Sequence, residues 1–318
     1  MGLYTGTEKR DSWFKRFGAL VMAASFIALL IFGSAYAETV KQRTFASPEE
    51  AVKALVEALK SNDAKAVEAI FGPGSRDILL SGDPVADKAV VEKFLNRYEE
   101  RNRLEVTGTR ANLNVGKDDW PFAIPIVKKD SLWRFDIKAG REEIQARRIG
   151  QNELSAIQVS LAYVDAQREY VSKDRDGDGL MEYAQKFASD KGKKNGLYWK
   201  VAEGEEQSPL GPFAAAAQKQ GYSKKGQKPE PFHGYYYRIL TGQGKNAPGG
   251  AYDYLVKGNM IGGFALVAYP AKYGASGVMT FIVNHDGVVY QKDLGKNTEK
   301  AAQAMKVFDP DSTWKKVD

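Results

Sequence analysis

The sequence predicts an α+β protein of two modules, and three observations carry that prediction. Apolar residues at helical spacing crowd residues 47–99, and short strand-like runs follow as far as Ile137. A long helical stretch begins near Gly140, and three aromatic and β-branched runs close the chain after His233. Helices and strands that segregate in this way describe helices packed on one face of antiparallel sheets. The first module is expected to be helices on a curved antiparallel sheet. The second is expected to be a long helix packed on a small antiparallel sheet.

The first 37 residues read as a leader. Lys9, Arg10, Lys15 and Arg16 form a basic start, Phe17–Phe32 is almost unbrokenly apolar, and Ala35-Tyr36-Ala37 supplies small residues for a signal peptidase. Cleavage is expected before Glu38; the alternative is an uncleaved membrane anchor, although a comfortable span needs about 20 residues. After the leader, Ser47 is the expected cap of a helix and Glu50 completes a capping box. Asn62-Asp63 breaks it from a second helix that ends at Gly72-Pro73-Gly74, and a third is expected over residues 87–99. The runs "RLEVTG", "ANLNVG", "FAIPIVKK" and "LWRFDI" read as strands, with Asp130-Ser131 as the last turn. In the long helix, Leu154, Ile157, Leu161 and Val164 predict a core-facing stripe. Residues 191–230 read as loop. "GYYYRIL", "GGFALVAYPAKY" and "GVMTFIVNHDGVVYQKDL" read as strands, with a tight turn at Asp286-Gly287. The expected organisation is therefore 1–37 leader, 38–138 first module, and 139–318 connector helix with second module.

Export governs how the composition is read. The leader carries four Lys/Arg against Glu8 and Asp11, leaving about +4 of the formal +6. An exported chain meets no genome, so the expected partner is an envelope protein or glycan rather than nucleic acid. A membrane enters only through an uncleaved leader. Localisation is expected to be periplasmic or secreted after Sec-type export. The absence of cysteine excludes disulfides, thiolate metal sites, cysteine nucleophiles and a lipoprotein anchor. Stability must come from burial, and 43% apolar content over about 280 residues suffices for two domains.

Catalytic motifs are sparse. No H-E-x-x-H, G-x-S-x-G or G-x-x-x-x-G-K-[ST] occurs, and "GQGKNAPGG" at 242–250 reads as a flexible loop. Of two histidines, His285 sits in the hairpin turn, where solvation is expected, and His233 precedes a strand. No catalytic residue is assigned. His233, Tyr235, Tyr237, Tyr252 and Tyr254 are the candidate ligand-binding residues; the same rings also suit cross-strand packing. The sharpest motif is "DRDGDGLMEYAQ". Asp174, Asp176, Asp178, Leu180 and Glu182 fill positions 1, 3, 5, 7 and 9 of a calcium loop, with Gly179 at the sharp turn. Position 12 is Gln185 rather than a bidentate glutamate, so the expected cofactor is a weakly held structural calcium ion. The alternative is an acidic turn.

"VGKDDWPFAIPIV", "RRIGQNELSAIQ", "SPLGPF", "HGYYYRIL" and "MIGGFALVAYPAKYGASGVMTFIVNHDGVVYQKDLG" resemble the bacterial family called domain of unknown function 2950, over about residues 44–316. That resemblance implies an exported envelope protein and transfers no catalytic residue. Residues 44–137 resemble nuclear transport factor 2-like domains, and the chain from Asn152 onward resembles pilin and pseudopilin heads. A non-enzymatic binding or assembly role is therefore expected. The alternatives are an envelope hydrolase or glycan-modifying enzyme using His233, and a pseudopilin-like secretion or pilus component.

Overall fold

The computed structural model describes residues 41–202, 204–220, 222 and 230–317; the predicted leader lies outside them. Helix α1 (Pro48–Lys60) starts at the predicted cap. Ser47 Oγ accepts the Glu50 amide at 3.2 Å, and Glu50 Oε2 accepts the Ala46 amide at 3.1 Å, so the capping box reaches one residue further back than usual. Asp63 then caps α2 (Ala64–Phe71), after which come α3 (Arg76–Leu79) and α4 (Pro84–Glu100). Helix α4 begins three residues before the predicted Asp87, because Asp83 caps it and Pro84 suits the first turn.

An antiparallel sheet follows, made of β1 (Asn102–Thr107), β2 (Arg110–Val115), β3 (Trp120–Pro121), β4 (Ile126–Lys129) and β5 (Leu132–Phe135). Its order is β1-β2-β4-β5, with β3 also on β2. Asp130 and Ser131 both have positive φ, which suits the two-residue turn between β4 and β5. Leu55, Ile70 and Phe94 from the helices meet Leu113, Ile126 and Phe135 from the sheet in a first buried core.

Helix α5 runs from Ile137 to Tyr170, and the predicted stripe is its buried face only in part: Val164 is in the second core and Ile157 packs against it. Leu154 is 62% exposed and Leu161 41% exposed, while Val164 is buried. The face that packs carries Asn152, Ala156, Ser160, Tyr163, Gln167 and Tyr170. These positions keep helical periodicity, but half of them are polar, which hides them from a hydrophobicity pattern. Each large polar group is satisfied. Asn152 Nδ2 donates to Ser276 O at 2.8 Å. Gln167 Nε2 donates to Ala184 O at 2.7 Å, and its Oε1 accepts the Ala184 amide at 2.8 Å. Closer to the start of α5, Arg148 Nη2 donates to Ile78 O and Leu79 O, tying the helix to α3.

Helix α6 (Gly211–Lys219) falls in the stretch read as loop, with Pro212 in its first turn. Next come β6 (Tyr235–Leu240), the short pair β7 (Gly242–Gln243) and β8 (Tyr252–Asp253), and the pair β9 (Leu255–Val256) and β10 (Asn259–Met260). Strands β11 (Ala265–Pro270), β12 (Met279–Asn284) and β13 (Tyr290–Asp293), helix α7 (Thr298–Ala304) and β14 (Lys315–Lys316) complete the chain. The second sheet is wholly antiparallel in the order β14-β13-β12-β11-β6, with α5 against β12 and β11. Tyr163, Tyr170, Leu240, Phe264, Phe281 and Phe308 fill its core. The glycine-rich 242–250 loop, expected to be flexible, is pinned: Gln243 Nε2 donates to Pro248 O and Gly250 O at 2.6 and 2.7 Å.

The polar face of α5 leads to a direct test. Gln167→Ala strips partners from a buried amide and carbonyl at once, so it should cost about 3 kcal/mol in urea denaturation. Leu161→Ala, on the exposed side, should stay within about 0.5 kcal/mol. The reverse ranking would restore the apolar stripe as the packing face.

Candidate functional site

The acidic loop follows the last turn of α5. Asp174 Oδ1 accepts the Gly177 amide at 2.7 Å and Oδ2 accepts the Gly179 amide at 2.9 Å. Those backbone bonds hold its carboxyl below the usual range. Gly177 and Gly179 both adopt positive φ, which only glycine takes without strain, and this lets the chain fold back on Asp174. Asp178 Oδ1 accepts the Leu180 amide at 2.8 Å. One carboxylate oxygen from each of Asp174, Asp176 and Asp178 lies within 4.8 Å of the others. Oxygens around one calcium ion, at 2.3–2.6 Å each, span at most about 5 Å, so the set fits that ion.

Glu182 adds the most informative atom. Its Oε2 is buried and has no hydrogen-bond partner among the described residues. Burial first, and then the charges of Asp176, Asp178 and Asp174, push its carboxyl up. A buried carboxylate oxygen that lacks a donor, four residues beyond Asp178, is what a cation would satisfy. Position 12 is different. Gln185 Nε2 donates to Gly258 O at 2.7 Å, so that side chain serves the β9–β10 pair. Arg175, at position 2, turns inward with its side chain only 5% exposed, near the rings of Tyr170 and Trp199. It anchors the loop to the core.

The candidate aromatics divide between two places. Tyr235 is fully buried and donates its hydroxyl to Met279 O at 2.9 Å. Tyr254 is fully buried too, donating to Gln243 Oε1 at 2.9 Å. Tyr252 is exposed and its ring centroid lies 5.6 Å from that of Tyr254. Tyr237 is partly buried, its hydroxyl 3.4 Å from Phe232 O. Buried rings with satisfied hydroxyls serve packing. His285 is not a solvated turn residue: its ring lies against Tyr254 and Phe264, and its Nδ1 is buried.

His233 belongs to a network that sequence reasoning missed. Asp83 is buried, and its Oδ1 accepts the Val85 and Ala86 amides at the start of α4. Its Oδ2 accepts the Tyr222 hydroxyl at 2.9 Å and the Gly234 amide at 3.0 Å. The His233 amide donates to the Tyr222 hydroxyl at 3.2 Å. Gly234 has φ 73, and a β-carbon there would collide with Asn152. One carboxylate thus joins α4 to the entry of β6. The available signal was local: an acidic cap before a proline, "GDP" at 82–84.

Fold and loop define an α+β protein with a candidate cation loop between its long helix and its second sheet. Over residues 42–317 the chain matches the family described as Protein of unknown function (DUF2950), and it belongs to that family. No curated protein and no solved structure matches it. Among the described residues, no helix is long and apolar enough to cross a membrane.

Burial holds the His233 imidazole below its ordinary value, and the charge of Asp83 partly offsets this. In the unfolded chain a histidine protonates near about pH 6.5. As pH falls through that value, the unfolded chain takes up a proton that the native state refuses, so stability is lost until the lowered native value is reached. His233 has φ 50, which asparagine tolerates. His233→Asn should therefore fold and lose less stability than the parent between pH 7 and 5. Equal losses would remove the imidazole from the acid sensitivity.

Proposed function

We propose that this chain is an exported, non-enzymatic envelope protein that binds or helps assemble a partner, and that its Asp174–Glu182 loop holds a weak structural calcium ion. The observation that carries the non-enzymatic reading is the commitment of Asp83. This is the acid whose charge bears on His233, and both its oxygens are occupied by two helix amides, the Gly234 amide and the Tyr222 hydroxyl. A base poised for catalysis keeps an oxygen free for the proton it will take. Here the carboxylate acts as a latch.

The calcium reading is supported by the orphaned Oε2 of Glu182 beside three converging aspartates. With no bidentate ligand at position 12, affinity belongs in the extracellular range of about 10⁻⁴–10⁻³ M. The role assigned to the ion is to neutralise the loop and hold Arg175 against the core.

Two measurements test these readings. Cross-linking of tagged protein in intact cells should capture an envelope partner, and the recovered chain should begin near Glu38. Recovery of the chain from the cytoplasm with Met1 intact would overturn export, and loss of cellular function in a well-folded His233→Asn variant would overturn the non-enzymatic reading. Separately, 5 mM calcium should stabilise the protein by about 1–2 kcal/mol at pH 7, a rise of a few degrees in Tm. Glu182 is pushed up in the ion-free loop, so ionising it destabilises the native state as pH rises, and calcium relieves more at pH 7 than at pH 4.5. Chelator or Asp176→Asn should abolish the increment; identical melts with and without calcium would leave only an acidic turn.

A further inference from the structure

Helix α5 serves the two cores in turn. Ile137 is buried in the first core and Ile144 packs against it, whereas Ala156, Tyr163, Val164 and Tyr170 are buried in the second. No residue is common to the two cores. Among the described residues, the last side chains that bond α5 to the first module are Arg147, through Pro121 O at 2.8 Å, and Arg148, through Ile78 O and Leu79 O. The first to bond it to the second module is Asn152, through Ser276 O. Gly150 stands between these anchors and is exposed. After proline, glycine is the residue that a helix interior tolerates worst. Gly140, in the same helix, is required by packing, because a β-carbon there would lie 2.8 Å from Ala123 O. At Gly150 nothing lies within 4 Å of that position, so close packing does not call for it. A glycine that packing does not demand, placed where a helix passes from one core to the next, suits a pivot.

A pivot needs a restraint, and a single atom supplies it. Among the described residues, every hydrogen bond between residues 41–136 and residues 172–317 ends on Asp83 Oδ2: the Tyr222 hydroxyl at 2.9 Å and the Gly234 amide at 3.0 Å. No ion pair joins those two ranges among the described residues. The other oxygen of Asp83 is committed to the start of α4. One carboxylate oxygen therefore carries the whole polar link that does not run through α5. We propose that Asp83 is a releasable latch and Gly150 the pivot it restrains: when the two bonds to Oδ2 break, the first core swings against the second about α5. Two bonds to a charged oxygen suffice to make the closed arrangement the majority state. They are also few enough to yield to a partner that binds the open arrangement more tightly. Such a device operates whatever the protein binds.

Distances between two spin labels on the purified protein test it. The sequence has no cysteine, so Lys53→Cys on α1 and Lys300→Cys on α7, both exposed, place one label on each module. The parent should show one dominant distance. Asp83→Asn keeps an oxygen to cap α4, since asparagine caps as well as aspartate, but it sets an N–H donor against the Gly234 amide. It should raise the ratio of open to closed at least about tenfold, read as a second distance. Tyr222→Phe removes one bond and leaves the carboxylate, so it should move the ratio the same way but less. Gly150→Ala favours the unbent helix. Added to either variant it should lower the ratio about fivefold, and in the parent it should leave the distance unchanged. A carboxylate with a structural role alone would show no such reversal. A single unchanged distance in a folded Asp83→Asn variant would overturn the proposal; if that variant does not fold, the same result in Tyr222→Phe would do so. A second distance that Gly150→Ala leaves untouched would overturn it too.

Discussion

Gln167 is fully buried on a helix, and it can be there only because both ends of its amide are met by Ala184. That pairing fixes the side on which α5 faces the second sheet. It also anchors the chain just beyond the acidic loop, since Ala184 follows Glu182 by two residues. Asn152 does the same about four turns earlier through Ser276. Between them lie Ala156 and Ser160, small residues that allow a long helix to sit close to strands. An apolar face of equal area would bury as well, yet it would specify the helix's rotation less strictly.

The same economy of buried polar groups recurs at Asp83. Its oxygens satisfy helix amides on one side and the approach to β6 on the other, which couples the helical start of the chain to its closing sheet. Tyr222 is held between Asp83 and His233, and its hydroxyl is pushed up by burial first and by Asp83 second. Charge is handled differently in the loop after α5. There the carboxylates stand at the surface, while the cation among them, Arg175, is turned inward to the rings of Tyr170 and Trp199. Burial, with Glu182 and Asp176 adding to it, pushes the Tyr170 hydroxyl up to about 12, so the acidic loop is felt within the core.

Local chemistry was legible in the sequence and long-range polar packing was not. Ser47 and Glu50, the Asp130-Ser131 turn, the Asn284–Gly287 hairpin and the acid spacing of 174–182 all declare themselves within a dozen residues. Each is a backbone requirement that few side chains meet. Leu154 and Leu161 misled because hydrophobicity identifies a buried face only when that face is apolar. Asp83 and Gly234 stand 151 residues apart, so no window links the cap before Pro84 to the histidine before β6. Helix α6 was hidden by its Gly-Pro start, which reads as loop punctuation.

The two-residue strand β14 carries a consequence out of proportion to its size. Lys315 and Lys316 add the outermost pairing to β13. A sheet edge offers unpaired amides and carbonyls to any other chain, and brevity with lysine charge is how proteins blunt it. At the opposite margin, Arg238 of β6 donates to Ala302 O at 2.6 Å and so holds the end of α7 against that strand. Among the described residues, one margin thus carries exposed lysines and the other a guanidinium committed to α7. High ionic strength, which screens the exposed lysines, would loosen a colloidal defence at β14 before it touched the fold.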